Sequence, residues 1–246
     1  MNFIESTHNK RIKELTRLHT KKERDKTGCF LVEGEHLIQE AYTVGCLQEV
    51  FINKEYDKPF SIPYTLCTDA VLNKLSVQNS QAKMIGLCQK KEWSKKTEKH
   101  ILLLDSIQDP GNMGTLLRTA CAFDIDHVYC SNTCVDIYNE KTIQASQGAI
   151  FHIPVSYTDL ADLIFQKQKE NISIYGTSLH ERSIPLSQVK KEASYGILLG
   201  NEGNGVRKEL IDLCDFVVKI EMHAFESLNV AIAGGILMYE FDRNKG

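Results

Sequence analysis

A strand–loop–helix run from Ile101 to Phe123 limits the architectures open to this chain. Ile101-Leu-Leu-Leu104 is uniformly apolar, as a strand covered on both faces must be. A polar loop follows, carrying Pro110, Gly111 and Gly114, and then Leu116, Leu117, Ala120 and Phe123 recur at helical spacing. This reading puts Asn112 in the loop and Arg118 in roughly the first helical turn. A cation there is opposed by the helix dipole and calls for an anionic partner or ligand.

The same alternation runs along the rest of the chain. Apolar runs at Cys29–Val32, Glu49–Ile52, Met84–Cys88, His127–Cys130, Ile153–Val155, Ile172–Gly176, Tyr195–Leu199 and Phe216–Ile220 read as strands. Between them, Ser6 to about Lys26, Glu35–Tyr42, Asp69–Leu75, Tyr138–Gln147, Leu160–Gln168 and Leu228 to about Phe241 read as helices. Such alternation specifies an α/β protein. Gln89 to His100 is dense in Lys and Glu with a lone Trp93 and reads as connecting chain. The expected division is a small α/β domain over 1–95, a linker at 96–100 and a second α/β domain over 101–246.

Composition matters chiefly for what it excludes. The apolar runs are too short to span a bilayer, and Met1 is followed by polar and basic residues rather than an apolar signal region. Eight cysteines are scattered without zinc-like pairs; Cys130 and Cys134 are the one close pair. The expectation is a cytoplasmic protein with reduced thiols, no metal and no membrane contact. A net charge of -3 hides an asymmetry: residues 1–99 hold 17 Lys+Arg and 13 Asp+Glu, and the rest hold 12 and 19. The N-terminal part is thus the better partner for a polyanion. Its first helix sets Ile12, Leu15 and Leu18 at helical spacing, with Lys10, Arg11, Lys13, Arg17, Lys21, Lys22 and Arg24 on the other faces. That basic surface serves either to contact phosphates or simply as a solvated face.

Three loops stand at the carboxyl ends of expected strands: Asp109–Gly114, Gly200–Gly205 and Glu221–Asn229. Ligands of open α/β sheets bind at such strand ends. Neither glycine-rich loop closes with Gly-Lys-Ser/Thr, which excludes a phosphate-cradling P-loop, and the order of Gly200, Gly203 and Gly205 excludes a Rossmann fingerprint. Taken alone, Gly200-Asn-Glu-Gly203 is equally an ordinary turn.

Together the three stretches resemble something specific. Asp109-Pro-Gly-Asn-Met-Gly-Thr-Leu-Leu-Arg-Thr-Ala120, Leu199-Gly-Asn-Glu-Gly-Asn-Gly205 and Glu226-Ser-Leu-Asn-Val-Ala-Ile-Ala233 are similar, in order and separation, to the signature motifs of SpoU-type RNA 2′-O-ribose methyltransferases. The resemblance covers residues 100–246. More weakly, Ser6-Thr-His-Asn9 with Ile12-Lys13, and Phe30-Leu-Val-Glu-Gly34, resemble the ribosomal-protein-like substrate-binding domain of rRNA-modifying members.

The resemblance implies a C-terminal α/β domain with a deep trefoil knot, which ordinary connection rules do not anticipate. It also implies an S-adenosylmethionine (AdoMet) cofactor, an RNA substrate, most simply rRNA of the 23S type, and a homodimer. It assigns Thr177, Gly200, Ile220 and Leu228 to the cofactor, with Gly200 letting backbone approach closely. Arg118, Asn112, Glu202, Ser227 and Asn229 become the catalytic positions. Arg118 stays protonated, so binding phosphate and stabilising a developing alkoxide suits it better than acting as a base. A plain salt bridge with Glu202 or an aspartate is its structural alternative. Ser227 equally suits the N-cap of the last helix, with Leu228 starting it. One departure stands out: Glu221 follows Ile220 where many members carry proline. Alternatives of other classes are a tRNA 2′-O-methyltransferase, a base methyltransferase, and a catalytically silent RNA-binding ribosome-assembly factor.

Overall fold

The computed structural model describes residues 2–55, 61–77, 82–94, 96–178, 183–201, 203–223 and 227–243, which form two compact units. The first comprises residues 1–93 and 136–152; the second comprises 94–135 and 153–246.

The first unit is built on a five-stranded mixed sheet. Its strands are β1 (Asn2–Ile4), β2 (Cys29–Glu33), β3 (Leu47–Asn53), β4 (Tyr64–Cys67) and β5 (Met84–Gln89), in the order β1-β4-β3-β5-β2. β1 and β4, of three and four residues, are too short to stand out in the sequence. The helices are α1 (Lys10–Thr16), α2 (Lys21–Thr27), α3 (Glu35–Thr43) and α4 (Asp69–Leu75). The single first helix expected from the sequence is broken: a 3-10 turn at Arg17–His19 separates α1 from α2, and Thr20 caps the second piece by accepting from the Glu23 amide. Asn9 caps α1, and Gly34 enters α3 at φ +96°, a left-handed conformation that glycine adopts without strain. The motif residues therefore also have local backbone work to do.

Ile12, Leu15 and Leu18 are buried, as their spacing requires, in a core with Phe51, Val71, Leu72 and Ile85. Lys10, Arg11, Lys13, Arg17, Lys21 and Lys22 are exposed. Arg24 departs from them. It is 3% exposed, its Nη2 lies 2.7 Å from Asp136, and its Nη1 donates to the Leu18 carbonyl at 2.8 Å. Arg24 is structural and unavailable to a phosphate.

Asp136–His152, which a linear division at residue 101 assigns to the C-terminal domain, packs with the first unit. It carries α6 (Glu140–Ser146) and a 3-10 turn at Ala149–Phe151. Besides Arg24–Asp136, His19 meets Glu140 at 3.2 Å, His152 meets Glu40 at 2.7 Å, and Tyr138 and Phe151 pack on the Phe30 ring.

The second unit is a seven-stranded parallel sheet. Its strands are β6 (His100–Leu104), β7 (His127–Cys130), β8 (Val155–Tyr157), β9 (Ser173–Thr177), β10 (Ile184–Pro185), β11 (Tyr195–Leu199) and β12 (Phe216–Lys219). The order is β10-β12-β9-β11-β6-β7-β8. Its helices are α5 (Pro110–Ala122), α7 (Leu160–Lys169), α8 (Lys208–Ile211) and α9 (Val230–Asp242). All five β11 residues are buried, as a central parallel strand demands. Glu98, within the segment read as linker, is tied into this unit: its carboxylate accepts from the Tyr129 hydroxyl at 2.9 Å and pairs with His127 and Lys167 at 3.0 and 2.9 Å.

Two corrections concern helix starts. α5 begins at Pro110, because the Asp109 side chain accepts from the Asn112 amide at 2.7 Å and proline suits the first helical position. Asn112 is therefore helical, and Arg118 lies two turns into the helix, beyond the reach of the dipole argument. α9 begins after Asn229, whose side chain accepts from Ala231 and Ile232 at 2.9 and 3.3 Å; Ser227 is not the cap.

Candidate active site

β6, β9, β11 and β12 are mutually parallel neighbours, so their carboxyl ends share one edge of the sheet. A cavity of about 370 Å³ opens there, within the size range of small-molecule sites. Thr177, Gly200, Ile220 and Leu228, the four positions assigned to a cofactor, all line it, and so does Ser227. Leu199, Val206, Val218, Val230 and Leu237 give the wall apolar stretches, and Ser178, Asn201, Asn204 and Lys219 add polar ones.

Residues 200–201 and 203–207, which follow β11, are held by the protein's own chain. A Cβ on Gly200 would lie 2.1 Å from the Gly205 carbonyl carbon and 2.2 Å from the Val206 nitrogen. The close approach expected at Gly200 is thus made first of all by the protein's own backbone. Asn201 uses both ends of its amide: Nδ2 donates to the Ser106 carbonyl at 3.1 Å, and Oδ1 accepts from Gly203 at 2.9 Å. The fully buried Asp105 accepts from the Arg207 amide at 3.1 Å and from its Nε at 3.0 Å. These contacts fasten the loop after β11 to the segment that leads from β6 into α5. Cys134 meets the same segment, with Sγ 3.3 Å from the Ile107 amide and 3.2 Å from the Leu104 carbonyl. Hydrogen bonding from Cys130, aided by Ser131, lowers the Cys134 thiol to about 7. No disulfide joins any of the eight cysteines.

Asn229 Nδ2 donates to Asn112 Oδ1 at 2.9 Å, joining the first motif to the third beside Leu228 and Val230. Arg118 is exposed, does not line the cavity, and forms no ion pair with a described residue. Glu202 lies outside the described residues. Sequence reasoning missed Lys219 and Met222, which also line the wall. Neither belongs to a motif; both are near neighbours of Ile220 in the chain. Among the described residues, no cluster of three or more His, Cys, Asp or Glu side chains is placed to hold a metal, and no helix is long and apolar enough to cross a membrane.

The SpoU rRNA methylase family model matches residues 99–239, more than half the chain and the whole of this site. The chain belongs to the SpoU rRNA methylase family. Residues 9–86 match the MRM3-like substrate binding domain. Among its relatives is the 23S rRNA (guanosine(2553)-2′-O)-methyltransferase RlmP of Bacillus subtilis, 36% identical over 97% of this chain and 98% of the relative. A solved RNA 2′-O ribose methyltransferase superposes with a TM-score of 0.85 at 28% identity, covering 99% of both chains. An AdoMet-bound rRNA methyltransferase from Sinorhizobium meliloti shares the fold with a TM-score of 0.87 at 23% identity, covering 100% of this chain and 98% of that one. The second unit is accordingly the α/β methyltransferase domain of the SpoU family, and AdoMet is the cofactor bound in the Sinorhizobium meliloti neighbour.

The residues present fit that cofactor. The apolar walls suit a purine ring, and the Thr177, Ser178 and Ser227 hydroxyls with the backbone of residues 200–201 and 203–206 offer polar groups to its edges and sugar.

Proposed function

We propose that this SpoU-family RNA 2′-O-ribose methyltransferase acts on large-subunit ribosomal RNA, with the cavity as its cofactor site and the first unit as its RNA-binding part. The observation that carries the reading is the convergence of all three signature stretches on one sheet edge, closed by the Asn112–Asn229 hydrogen bond. The rRNA assignment rests on the similarity to RlmP, which spans both units.

Bound AdoMet supplies a methyl group on a sulfonium, a good electrophile. A ribose 2′-hydroxyl held beside it would be the acceptor, with its proton lost to solvent. The protein's task is alignment, which supplies up to about 7–11 kcal/mol of a barrier in favourable cases. Asn229 is fixed at the head of α9 by two amides and in turn fixes Asn112, so the pair presents a rigid polar edge for ribose hydroxyls. Arg118, permanently cationic and exposed, binds a phosphate of the target and stabilises the nascent alkoxide. On the first unit, the exposed Lys10, Lys13, Arg17 and Lys22 supply the positive surface for RNA backbone.

The working form is a homodimer in the cytoplasm. Supporting it, α9 leaves Ile232, Ile236 and Tyr239 at 57%, 37% and 53% exposure on one helical face, a stripe suited to a second copy. The decisive experiment incubates the protein with labelled AdoMet and unmodified 23S rRNA or tRNA, then identifies the methylated nucleoside by nuclease digestion and mass spectrometry. A 2′-O-methylnucleoside in 23S rRNA is expected. Methylation confined to tRNA, a base-methylated product, or RNA binding without transfer would each overturn the reading.

A further inference from the structure

Glu221 stands outside the three motifs, yet its carboxylate is fully engaged. Oε2 accepts from the Leu186 amide at 3.1 Å, Oε1 accepts from the Ser187 amide at 3.4 Å, and the Ser187 hydroxyl donates to the same oxygen. Leu186–Gln188 is a 3-10 turn, and no side chain of its own caps it. The opening amides of such a turn need acceptors, and Glu221 reaches across 35 and 34 positions of sequence to provide them. The turn continues β10, the sheet-edge strand paired in parallel with β12 through Ile184–Val218 and Pro185–Lys219. Glu221 therefore clamps the chain leaving β12 against the strand beside it. Its two neighbours, Ile220 and Met222, both line the cavity.

The described wall residues on either side thus have separate fastenings. Asn229 caps α9 next to Ser227 and Leu228, and Glu221, between Ile220 and Met222, caps the 3-10 turn. None of these four wall residues lies in a helix or strand. Where cofactor contacts come from a wall without regular structure, a fixed point within it reduces the ordering that binding must impose. Three donors converging on one carboxylate suit this role better than a neutral residue would, since charge-assisted hydrogen bonds are about twice as strong as neutral ones.

We propose that Glu221 is a positioning residue for the cofactor: by capping the Leu186–Gln188 turn it fixes the Ile220–Met222 wall of the AdoMet cavity. This inference rests on the cavity being the AdoMet site, so wild-type binding is measured first. Titration calorimetry with AdoMet and with S-adenosylhomocysteine then compares wild type, Glu221→Ala, Glu221→Gln and Ser187→Ala. Losing the cap weakens binding of both ligands about tenfold in Glu221→Ala, the equivalent of one charge-assisted hydrogen bond. Glu221→Gln, which keeps one acceptor oxygen, falls between it and wild type. In steady-state assays the KM for AdoMet rises in parallel while kcat at saturation stays within about twofold, the pattern of lost uniform binding. Amide hydrogen exchange reports the cap directly, with Leu186 and Ser187 losing protection in Glu221→Ala.

Wild-type protein that binds neither ligand would remove the cofactor reading itself. Wild-type binding with unchanged affinity in Glu221→Ala, despite lost amide protection, would overturn the inference alone. Should Glu221→Ala fail to fold, Ser187→Ala carries the test: removing one of three donors raises the dissociation constant about threefold, and an unchanged constant overturns the proposal.

Discussion

Gly200 sits where the chain turns back on itself, and an alanine Cβ there would fall 2.1 Å from the Gly205 carbonyl carbon, with backbone rather than a flexible side chain in the way. Gly200→Ala should destabilise the enzyme by about 3 kcal/mol or more, read from urea midpoints, because overpacking against backbone cannot be relieved by a rotamer change. Arg118 makes the opposite case. It is exposed and has no ion-pair partner among the described residues, so Arg118→Ala should leave the melting temperature nearly unchanged. The same change should lower kcat by about 10²–10³, as removal of one transition-state donor does. Full activity in the folded variant would end its assigned role. Glu221 adds a pH dependence. Ser187 and the two amides hold its carboxyl below the ordinary Glu range, so its cap is complete at neutral pH and is lost as pH falls through the lowered folded value. AdoMet affinity should drop on acidification into and below the ordinary Glu range in wild type, and the gap to Glu221→Gln should close there. A gap that stays constant with pH would count against the carboxylate as the cap. The motifs mark Gly200 and Arg118 beforehand, but neither the chain segment that crosses at Gly200 nor Glu221's distant partners leave a local signal.

At the scale of elements, the sequence located nearly every strand and helix of the second unit, because parallel strands buried on both faces are continuous apolar runs. It misjudged where two helices start, and both errors have one cause. Apolar periodicity begins at Leu116 in α5, but the helix begins at its cap, Asp109-Pro110, and carries Gly111 and Gly114 inside its opening turns. In α9, Ser227 and Asn229 are both competent caps, and Asn229 takes the position with bonds to Ala231 and Ile232. The faces of α9 divide their duties. A Cβ on Gly234 would meet Leu116 at 2.5 Å and Leu199 at 2.9 Å, so this face packs within the unit. Ile232, Ile236 and Tyr239 occupy the outer face. Ile236→Glu should convert a dimer to a monomer in sedimentation equilibrium without unfolding it, since a charge on that stripe costs little in water and much in an apolar interface. An unaltered mass would move the interface elsewhere.

For the whole molecule, the lesson is that covalent order and compact units differ. Periodicity showed that α6 is a helix but carries no mark of which core it joins, because its buried residues are Thr142, Ile143 and Ser146 rather than a long apolar stripe. Arg24 is central to that attachment, with its side chain 4% exposed against a 12% exposed Asp136. Arg24→Ala strands a buried carboxylate and should cost about 3–5 kcal/mol in urea unfolding; a loss under about 1 kcal/mol would show the pair to be incidental. The excursion also sets a timetable for the nascent chain. A first unit that ended at Trp93 could close as soon as it left the ribosome, but this one awaits His152. At 5–20 residues per second that is a delay of about 3–12 s. Through that interval β6, α5 and β7 have already emerged, and the surface of Phe30 reserved for Tyr138 and Phe151 stands bare to whatever holds newly made protein.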